Sequence, residues 1–381
     1  MKIKVLSVFG TRPEAIKMLP LVKHIQEVEE MESIVCITAQ HREMLDHVLE
    51  AFGVTPDYDL NLMMPSQTLT DITTKVLTGL DSVLQEAKPD IVLVHGDTTT
   101  SFAAALAAFY KQIPVGHVEA GLRTYNIYSP FPEEMNRTLT GKLATMHFAP
   151  TELNRENLAR ENVKTGVFVT GNTVIDALFS IVKNDYNFED ETLRNMNFGE
   201  GKTILLTVHR RENIGASMQN IFNSVLEVAN EYEDLQFIYP VHKNPAVRAP
   251  TFEILGNHPR IHLIEPIGVG DMHNLFAKCY LILTDSGGIQ EEAPALGKPV
   301  LVLRTETERP EAVATGVVKV VGTEKDNIVR EIKLLLENPE VYSKMSNAKN
   351  PYGDGHASER ICDAIVGAFG DRNQIVNPAS V

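Results

Sequence analysis

The sequence lacks the features that mark secreted, zinc-binding and nucleic-acid-binding proteins. It has three cysteines, Cys36, Cys279 and Cys362, each isolated in an apolar segment and without CxxC spacing. Neither a disulfide framework nor a zinc site is therefore predicted, and buried reduced thiols favour the cytoplasm. The formal charge is -15 over 381 residues, and no tract of Lys and Arg occurs. Nucleic acid is not an expected partner, because clustered basic side chains hold phosphate backbones.

Membrane, metal and dinucleotide signals are missing as well. No segment approaches the about 20 apolar residues that cross a bilayer, and the apolar run near the N-terminus is too short for a signal peptide. The histidines occur singly in separate motifs, which is not the spacing of a metal site. A GxGxxG turn and a GxSxG elbow are absent too. We therefore expect no membrane partner, no metal and no nicotinamide cofactor.

The pattern that is present predicts an α/β protein. Short β-branched runs alternate with amphipathic helical stretches, and 43% of the residues are hydrophobic. This alternation is typical of parallel sheets with helices on both faces, here in two doubly wound, Rossmann-like domains. A polar, acidic stretch at residues 184–201 is interpreted as a connection. We expect one domain at 1–170, a second at 171–365, and a ligand cleft between them.

Individual elements can be placed from the same pattern. Apolar residues at helical spacing from Ser66 to Ala87 predict a packed helix that Pro89 ends. Strands are predicted at 3–9, 90–96, 114–120 and 203–209, among others. Each of these four strands is followed by a turn that carries charged side chains, and those turns hold the candidate functional residues.

The first of these turns reads GTRPEAIK. Gly10 permits a tight turn and Pro13 suits the start of a helix, so that free N–H groups lie beside Arg12 and Lys17. Anion binding is one interpretation. The other interpretation is that Gly10 and Pro13 only shape the turn between strand and helix. This segment alone does not distinguish the two interpretations.

Carboxylates follow the next strands. Asp97 in HGDTTT and Glu119 in HVEAGLRT end consecutive strands, and a right-handed crossover brings both to one edge of the sheet, where open α/β sheets bind ligands. Glu133 and Glu134 open a helix after a proline-rich loop. We interpret Glu134 as a helix cap. Clustered carboxylates raise one another's pKa, which suits acid and base work by Asp97, Glu119 and Glu133.

The second half offers basic groups and a glycine turn. TVHRREN places His209, Arg210 and Arg211 at a strand end, where they suit a phosphate or form a structural ion-pair cluster; His242 is either similar or an interior histidine. In LTDSGGIQEEA, a strand, a glycine turn and a helix present N–H groups to a diphosphate. The residues that we expect to bind there are Ser286, Gly287 and Gly288, with Glu292 placed for ribose hydroxyls.

These motifs together resemble the bacterial non-hydrolysing UDP-N-acetylglucosamine 2-epimerases. The resemblance rests on GTRPEAIK, HGDTTTSFAAALAA, HVEAGLRT, SPFPEEMNR, TVHRREN, LTDSGGIQEEAPALGKPVLVLR and NPYGDGHASERI, and it extends from Gly10 to about Ile365. It implies a glycosyltransferase-B fold, a homodimer and chemistry without a cofactor. It also implies a C-terminal tail, residues 366–381, that returns to the first domain.

The resemblance implies a mechanism and a set of roles. UDP is eliminated across C1 and C2 of UDP-N-acetylglucosamine, leaving a bound 2-acetamidoglucal, and adds back to give UDP-N-acetylmannosamine for cell-envelope polysaccharides. Asp97, Glu119 and Glu133 correspond to the acid/base carboxylates. By the same resemblance, His209 and Arg12 contact the departing diphosphate, and Lys17, His242 and Arg211 are further substrate contacts. Phosphate and ribose are bound by Ser286, Gly287, Gly288 and Glu292. Met272 contacts uracil, at a position where relatives often have Phe.

Some relatives also bind a second UDP-N-acetylglucosamine as an allosteric activator. Gln40 and Gln67 match the polar residues that they use, whereas Glu43 stands where Gln is common and Ser66 where Arg is common. Substrate activation is accordingly a hypothesis on these residues.

Three other functions remain open. A hydrolysing epimerase would share the first step but release free N-acetylmannosamine and UDP. A glycosyltransferase of the same architecture would require an acceptor. A non-catalytic nucleotide-sugar sensor would bind the ligand without exchanging the C2 proton.

Overall fold

The computed structural model describes residues 2–38, 42–62 and 67–370, with only the backbone at 42–44. It divides into two compact units, Met1–Ser180 with Tyr352–Val381, and Ile181–Pro351. Each unit contains one parallel β-sheet with helices between its strands. The predicted fold class, two doubly wound α/β domains, is confirmed.

The sheet of the first unit has seven strands in the order β3-β2-β1-β4-β5-β6-β7. The strands are β1 (Ile3–Phe9), β2 (Met31–Ile37), β3 (Tyr58–Asp59), β4 (Ile91–His95), β5 (Val115–Val118), β6 (Met146–Ala149) and β7 (Val167–Val169). The helices are α1 (Arg12–Glu27), α2 (Arg42–Phe52), α3 (Leu69–Ala87), α4 (Thr99–Tyr110), α5 (Glu133–Leu143), α6 (Glu152–Arg160), α7 (Thr173–Ile181) and, from the end of the chain, α16 (Ala357–Gly370).

Strand β1 shows why this sheet is covered on both faces. Val5 and Phe9 point into a core formed with α1 and α16, whereas Leu6 and Val8 point into the opposite core with α3 and α4. Successive side chains of a strand face opposite sides, so a continuous apolar run is what a sheet with two buried faces requires.

The second unit repeats this architecture with six parallel strands in the order β10-β9-β8-β11-β12-β13. The strands are β8 (Lys202–Thr207), β9 (Leu235–Pro240), β10 (Ile261–Ile264), β11 (Leu281–Thr284), β12 (Val300–Val302) and β13 (Val318–Val320). The helices are α8 (Glu191–Asn195), α9 (Ala216–Glu231), α10 (Pro245–Leu255), α11 (Val269–Lys278), α12 (Gly287–Glu292), α13 (Pro310–Thr315), α14 (Lys325–Glu337) and α15 (Pro339–Ser346).

The division of the chain differs from the predicted bounds of 1–170 and 171–365. Helix α16 belongs to the first unit, because Ile361 and Ile365 are fully buried in the core that contains α1. Asp176 fixes the start of α16 by accepting the N–H groups of Ala357 and Ser358. The returning segment therefore begins well before residue 366, and residues 371–381 of the predicted tail lie outside the described residues.

Local boundaries also differ by a few residues. The helix predicted from Ser66 begins at Leu69, where Thr68 caps it by accepting the N–H of Asp71. Ser66 lies outside the described residues. The interpreted connection at 184–201 contains the short helix α8. Strands β3 and β7 have only two and three residues, which is too short for a periodic pattern.

All three cysteines are free and buried. Burial raises the pKa of each thiol, Cys36, Cys279 and Cys362, to about 12. They are unreactive packing residues, because the thiolate is the nucleophile. Among the helices that the structure describes, none has the length and apolar character needed to cross a membrane.

We expect Ile361→Ala to destabilise the first unit by roughly 2 to 5 kcal/mol, because it leaves a cavity between α16 and α1. Denaturant unfolding followed by circular dichroism measures the change. Asp363→Ala is the control, since Asp363 is an exposed residue of the same helix. Equal stability of the two variants would show that α16 does not form part of this core.

Candidate active site

The carboxyl ends of β1 and β4 are tied together by one buried glutamate. Glu14 Oε2 accepts the N–H groups of Gly10 at 3.1 Å and Thr11 at 2.8 Å, which forms a capping box at the start of α1. Its other oxygen accepts the hydroxyls of Thr98 at 2.6 Å and Ser101 at 3.0 Å in the turn after β4. The TRPE sequence signals the cap, but nothing in the sequence signals the link to β4.

Gly10 is required for space rather than for a tight turn. A Cβ at this position would collide with the hydroxyl of Thr38 at the end of β2. The adjacent Arg12 is half-buried, and within the described residues no hydrogen bond or ion pair holds its guanidinium. Arg12 is therefore available to an anion, as the sequence suggested, although the anion itself remains a prediction.

Asp97 lies in the turn after β4 and is held by α5. Its Oδ2 accepts Nη2 of Arg137 at 2.6 Å, and its backbone oxygen accepts the side-chain amide of Asn136 at 3.0 Å. Burial, with the nearby Glu119 carboxylate, raises the pKa of Asp97, although Arg137 acts in the opposite direction. A carboxyl in this environment holds a proton more readily than a solvated one.

Glu119 follows β5 in a left-handed backbone conformation, with φ at 61°. Such a conformation is uncommon outside glycine and concentrates at functional sites. The carboxylate accepts Lys17 Nζ and, at 3.1 Å, the side-chain amide of Asn172, and it lies 3.4 Å from His95 Nε2. Although burial acts in the opposite direction, Lys17 and His95 hold the pKa of Glu119 well below its usual range.

A neutral histidine supports the turn between these two carboxylates. Gly96 has a φ of 61°, and its backbone oxygen lies 2.7 Å from His117 Nε2. Burial lowers the pKa of His117 to about 3. The ring is therefore neutral near neutrality and donates its Nε2 proton to the Gly96 oxygen, next to Asp97. The sequence analysis did not identify His117, which lies inside β5.

The two glutamates at the start of α5 have different roles. Glu134 is buried and accepts the N–H groups of Thr124 and Tyr125, so that it anchors the preceding loop and is not the predicted cap of its own helix. Glu133 is half-buried, and among the described residues it makes no hydrogen bond or ion pair. Its carboxylate is the one of the three predicted acid/base groups that is free to meet a ligand directly.

In the second unit, a buried aspartate organises the end of β8. Asp285 Oδ2 accepts the N–H groups of His209 at 2.9 Å and Arg210 at 2.8 Å, and the side-chain amide of Asn213 at 3.0 Å. Its Oδ1 lies 3.4 Å from His209 Nδ1. Asp285 belongs to the predicted glycine-turn motif but was not singled out from the sequence, because its partners are distant along the chain.

His209 stacks on His242, with ring centroids 5.6 Å apart and an interplanar angle of 16°. Burial, with the neighbouring His242 and Arg210, lowers the pKa of His209, and Asp285 opposes that shift. His242 is exposed and accepts the N–H of Asn244, so the interpretation of an interior histidine is wrong.

The glycine turn after β11 is flanked by two arginines. A Cβ placed on Gly287 would lie 3.7 Å from Nη2 of Arg210 and 3.8 Å from Nη2 of Arg309. Ser286 and Gly288 lie on either side of Gly287 at the start of α12. The side chain of Arg211, the other arginine of TVHRREN, is exposed and makes no hydrogen bond or ion pair within the described residues. Arg210 and Arg309 are thus the cations near this turn; the sequence indicated Arg210 as part of TVHRREN but did not single out Arg309.

Glu292 lies close to the same turn. Glu292 Oε2 pairs with the buried His273 Nε2 at 2.7 Å, which leaves Oε1 beside Gly288. His273 follows Met272 on α11, and Met272 is half-buried. The second unit therefore brings Glu292, predicted for ribose, next to the predicted phosphate turn, and Met272 remains a predicted uracil contact.

The residues predicted for allostery are only partly described. Gln67 donates its side-chain amide to the backbone oxygen of Leu62 at 2.6 Å, so it has a local structural contact. Gln40 and the side chain of Glu43 lie outside the described residues. Within the described ranges, no group of three or more His, Cys, Asp or Glu residues could hold a metal ion.

The family model described as UDP-N-acetylglucosamine 2-epimerase matches residues 23–366. A Bacillus subtilis (strain 168) protein named UDP-N-acetylglucosamine 2-epimerase is 56% identical over 376 residues, which cover 98% of this chain and 97% of that protein. A crystal structure of UDP-GlcNAc 2-epimerase from Neisseria meningitidis bound to UDP-GlcNAc has a TM-score of 0.83 and 53% identity, covering 96% of this chain and 100% of that chain. The fold is also shared with a glycosyltransferase structure, that of kitacinnamycin, at a TM-score of 0.65 and 10% identity, covering 96% and 98%.

Replacing Lys17 with Met should raise the pKa of Glu119, because the ammonium that offsets its burial is lost. Carbon-13 NMR of the Glu119 carboxyl at a series of pH values measures the shift. Since the folded pKa of Glu119 is depressed, the pair stabilises the fold above the unfolded value of about 4.3, and this contribution is lost as the pH falls. The variant should therefore have a lower free energy of unfolding at neutral pH, and this free energy should decrease less steeply as the pH falls.

Lys111→Met is the matched control, because Lys111 pairs at 2.6 Å with the exposed Asp81. It should leave the titration of Glu119 unchanged. An unaltered Glu119 midpoint in Lys17→Met would mean that His95 and the backbone conformation, rather than Lys17, keep this carboxyl ionised.

Proposed function

The chain belongs to the UDP-N-acetylglucosamine 2-epimerase family, and we propose that it interconverts UDP-N-acetylglucosamine and UDP-N-acetylmannosamine without hydrolysing either. The substrate is the one named for its relatives. The non-hydrolysing course and the roles of individual residues are supported by the chemistry of the two units.

The observation that carries the proposal is the contrast between Asp97 and Glu119. The pKa of Asp97 is raised and that of Glu119 is lowered, and the Glu119 carboxylate is one cause of the rise at Asp97. Two carboxyl groups whose environments push their pKa values apart supply an acid and a base at the same pH. Inversion at C2 requires both, because a proton leaves one face of the carbon and another arrives on the opposite face.

Elimination gives these groups a defined task. A base takes the proton from C2, the electrons of that bond form the C1–C2 double bond, and the C1–oxygen bond breaks to release UDP. The bound 2-acetamidoglucal then accepts a proton at the other face of C2 while UDP adds back at C1. The sum is an isomerisation with no net oxidation, so no redox cofactor enters. Asp97, Glu119 and Glu133 are the candidates for these proton transfers.

The groups of the second unit suit the leaving group. Breaking the C1–oxygen bond places negative charge on the diphosphate, which cationic side chains and backbone N–H groups stabilise. Arg210, Arg309 and His209 supply the cationic or hydrogen-bonding side chains, and the turn at Ser286–Gly288 supplies the N–H groups. A diphosphate held in this way stays available for re-addition, which distinguishes the proposed course from hydrolysis. Arg12 of the first unit is proposed to assist.

The proposal extends to the biological setting. A UDP-activated amino sugar is a donor for glycosyl transfer, which supports a role in the synthesis of cell-envelope polysaccharides. Three buried, unpaired thiols support work in the cytoplasm, where thiols stay reduced. We further propose a homodimer and, through Gln40 and Gln67, activation by a second substrate molecule.

Proton NMR of the protein incubated with UDP-N-acetylglucosamine alone should show UDP-N-acetylmannosamine accumulating to a constant ratio with its precursor. No acceptor is added, so a glycosyltransferase would give no turnover. Free N-acetylmannosamine and UDP in equal amounts would identify a hydrolysing epimerase. If the protein binds UDP-N-acetylglucosamine but the spectrum does not change, the protein is a non-catalytic sensor.

Asp97→Asn and Glu133→Gln should each lower the epimerisation rate by about 100-fold or more, because an amide cannot transfer the proton. UDP affinity, measured by calorimetry, should change little, since UDP lacks the amino sugar whose C2 proton is transferred. Asp81→Asn and Glu152→Gln are the matched controls on exposed carboxylates. Turnover at the control rate in either site variant would remove that residue from the proposed acid/base set.

A further inference from the structure

Asp285 is a carboxylate with no solvent exposure. Its Oδ2 accepts three neutral donors, namely two backbone N–H groups and the amide of Asn213. Its Oδ1 is buried and has no hydrogen bond. Within the residues that the structure describes, the only ion-pair contact of Asp285 is the one with His209 Nδ1, at 3.4 Å.

A buried carboxylate oxygen without a donor is costly, and a protonated imidazole is the natural partner. His209 is well placed to become that partner, because Nδ1 faces Asp285 and needs only a small approach to hydrogen-bond with it. The rest of the ring's surroundings oppose protonation. The exposed ring of His242 stacks on it, the Arg210 cation lies next to it in the chain, and partial burial disfavours the charged form.

The arrival of an anion would reverse this balance. A diphosphate near His209 and Arg210 adds negative charge on the side of the ring away from Asp285, and it offsets the positive charge of Arg210. An imidazolium in that position donates one proton to Asp285 Oδ1 and the other, from Nε2, to a phosphate oxygen. Both ring N–H groups of His209 then donate hydrogen bonds, and Oδ1 of Asp285 accepts one of them.

We propose that Asp285 is a positioning residue, the buried counter-charge that lets His209 hold a diphosphate as an imidazolium, so that UDP binding takes up a proton from solvent. The inference rests on the proposed function, because it takes the diphosphate of UDP as the ligand of His209. The proton comes from the buffer and is returned when UDP leaves, so no other reactant is needed. In turnover, the same proton stabilises the departing UDP.

Titration calorimetry of UDP in buffers of different ionisation enthalpy counts the protons taken up. At about pH 7, the wild type should take up a larger fraction of a proton per UDP than His209→Asn. UDP's own ionisation contributes equally to both proteins and cancels in the difference. In Asp285→Asn most of that difference should disappear, and UDP affinity should fall about tenfold at low pH and less at high pH.

Asp271→Asn is the matched control. Asp271 is also buried in the second unit and accepts three neutral donors, Tyr186 Oη and the N–H groups of Glu189 and Asp190, with no imidazole beside it. This variant should lose stability but keep the proton uptake of the wild type. If Asp285 has only a structural role, Asp285→Asn should likewise lose stability and keep the proton uptake of the wild type.

The outcomes separate the inference from the proposed function. If the wild type does not bind UDP, the proposed function fails. If it binds UDP with the same proton uptake as His209→Asn, the inference alone is overturned, and this comparison stands even if Asp285→Asn does not fold. Full retention of proton uptake in folded Asp285→Asn would also overturn it.

Discussion

Burial of carboxylates at the ends of parallel strands is the constraint on which the functional groups of this protein depend. A carboxylate removed from water must be matched by donors or cations. Glu14 is matched by N–H groups and hydroxyls, Asp97 by an arginine, Glu119 by a lysine and a histidine, and Asp285 by N–H groups and a neutral histidine. The proposed chemistry depends on these four pairings.

The same pairings couple structure to function. Glu14 joins the turn after β1 to the turn after β4, so the backbone that carries Asp97 is fixed by a residue of α1. Helix α5 carries Arg137, which holds Asp97, and Glu133, which no described group holds. One helix therefore positions a buried acid and presents a free one. In the second unit, Asp285 fixes the backbone of His209 and Arg210, and the latter reaches the glycine turn after β11.

The sequence predicts the fold class well, because it follows from local patterns, and the same patterns indicate the candidate site residues. Apolar runs locate the strands, and acidic residues directly after them locate Asp97 and Glu119. The long-range partners were missed, since Arg137 holds Asp97 across 40 residues of chain, His117 holds Gly96 across 21, and Asp285 holds His209 across 76. The bounds of the units were displaced for a related reason: nothing in the apolar stripe of α16 states which of two cores it fills. The reason for a glycine at position 10 was also misjudged. The sequence suggests a tight turn, whereas the structure requires Gly10 because Thr38, which follows another strand, leaves no room for a Cβ.

The central claim is that inversion proceeds by removal of the C2 proton and loss of UDP, with UDP retained for re-addition. The most direct measurement is the isotopic content of the sugar after incubation of UDP-N-acetylglucosamine with the protein in deuterium oxide. The account predicts deuterium at C2 in both UDP-sugars, with no free sugar. Protium retained at C2 in the epimerised product, or N-acetylmannosamine released into solution, would contradict it.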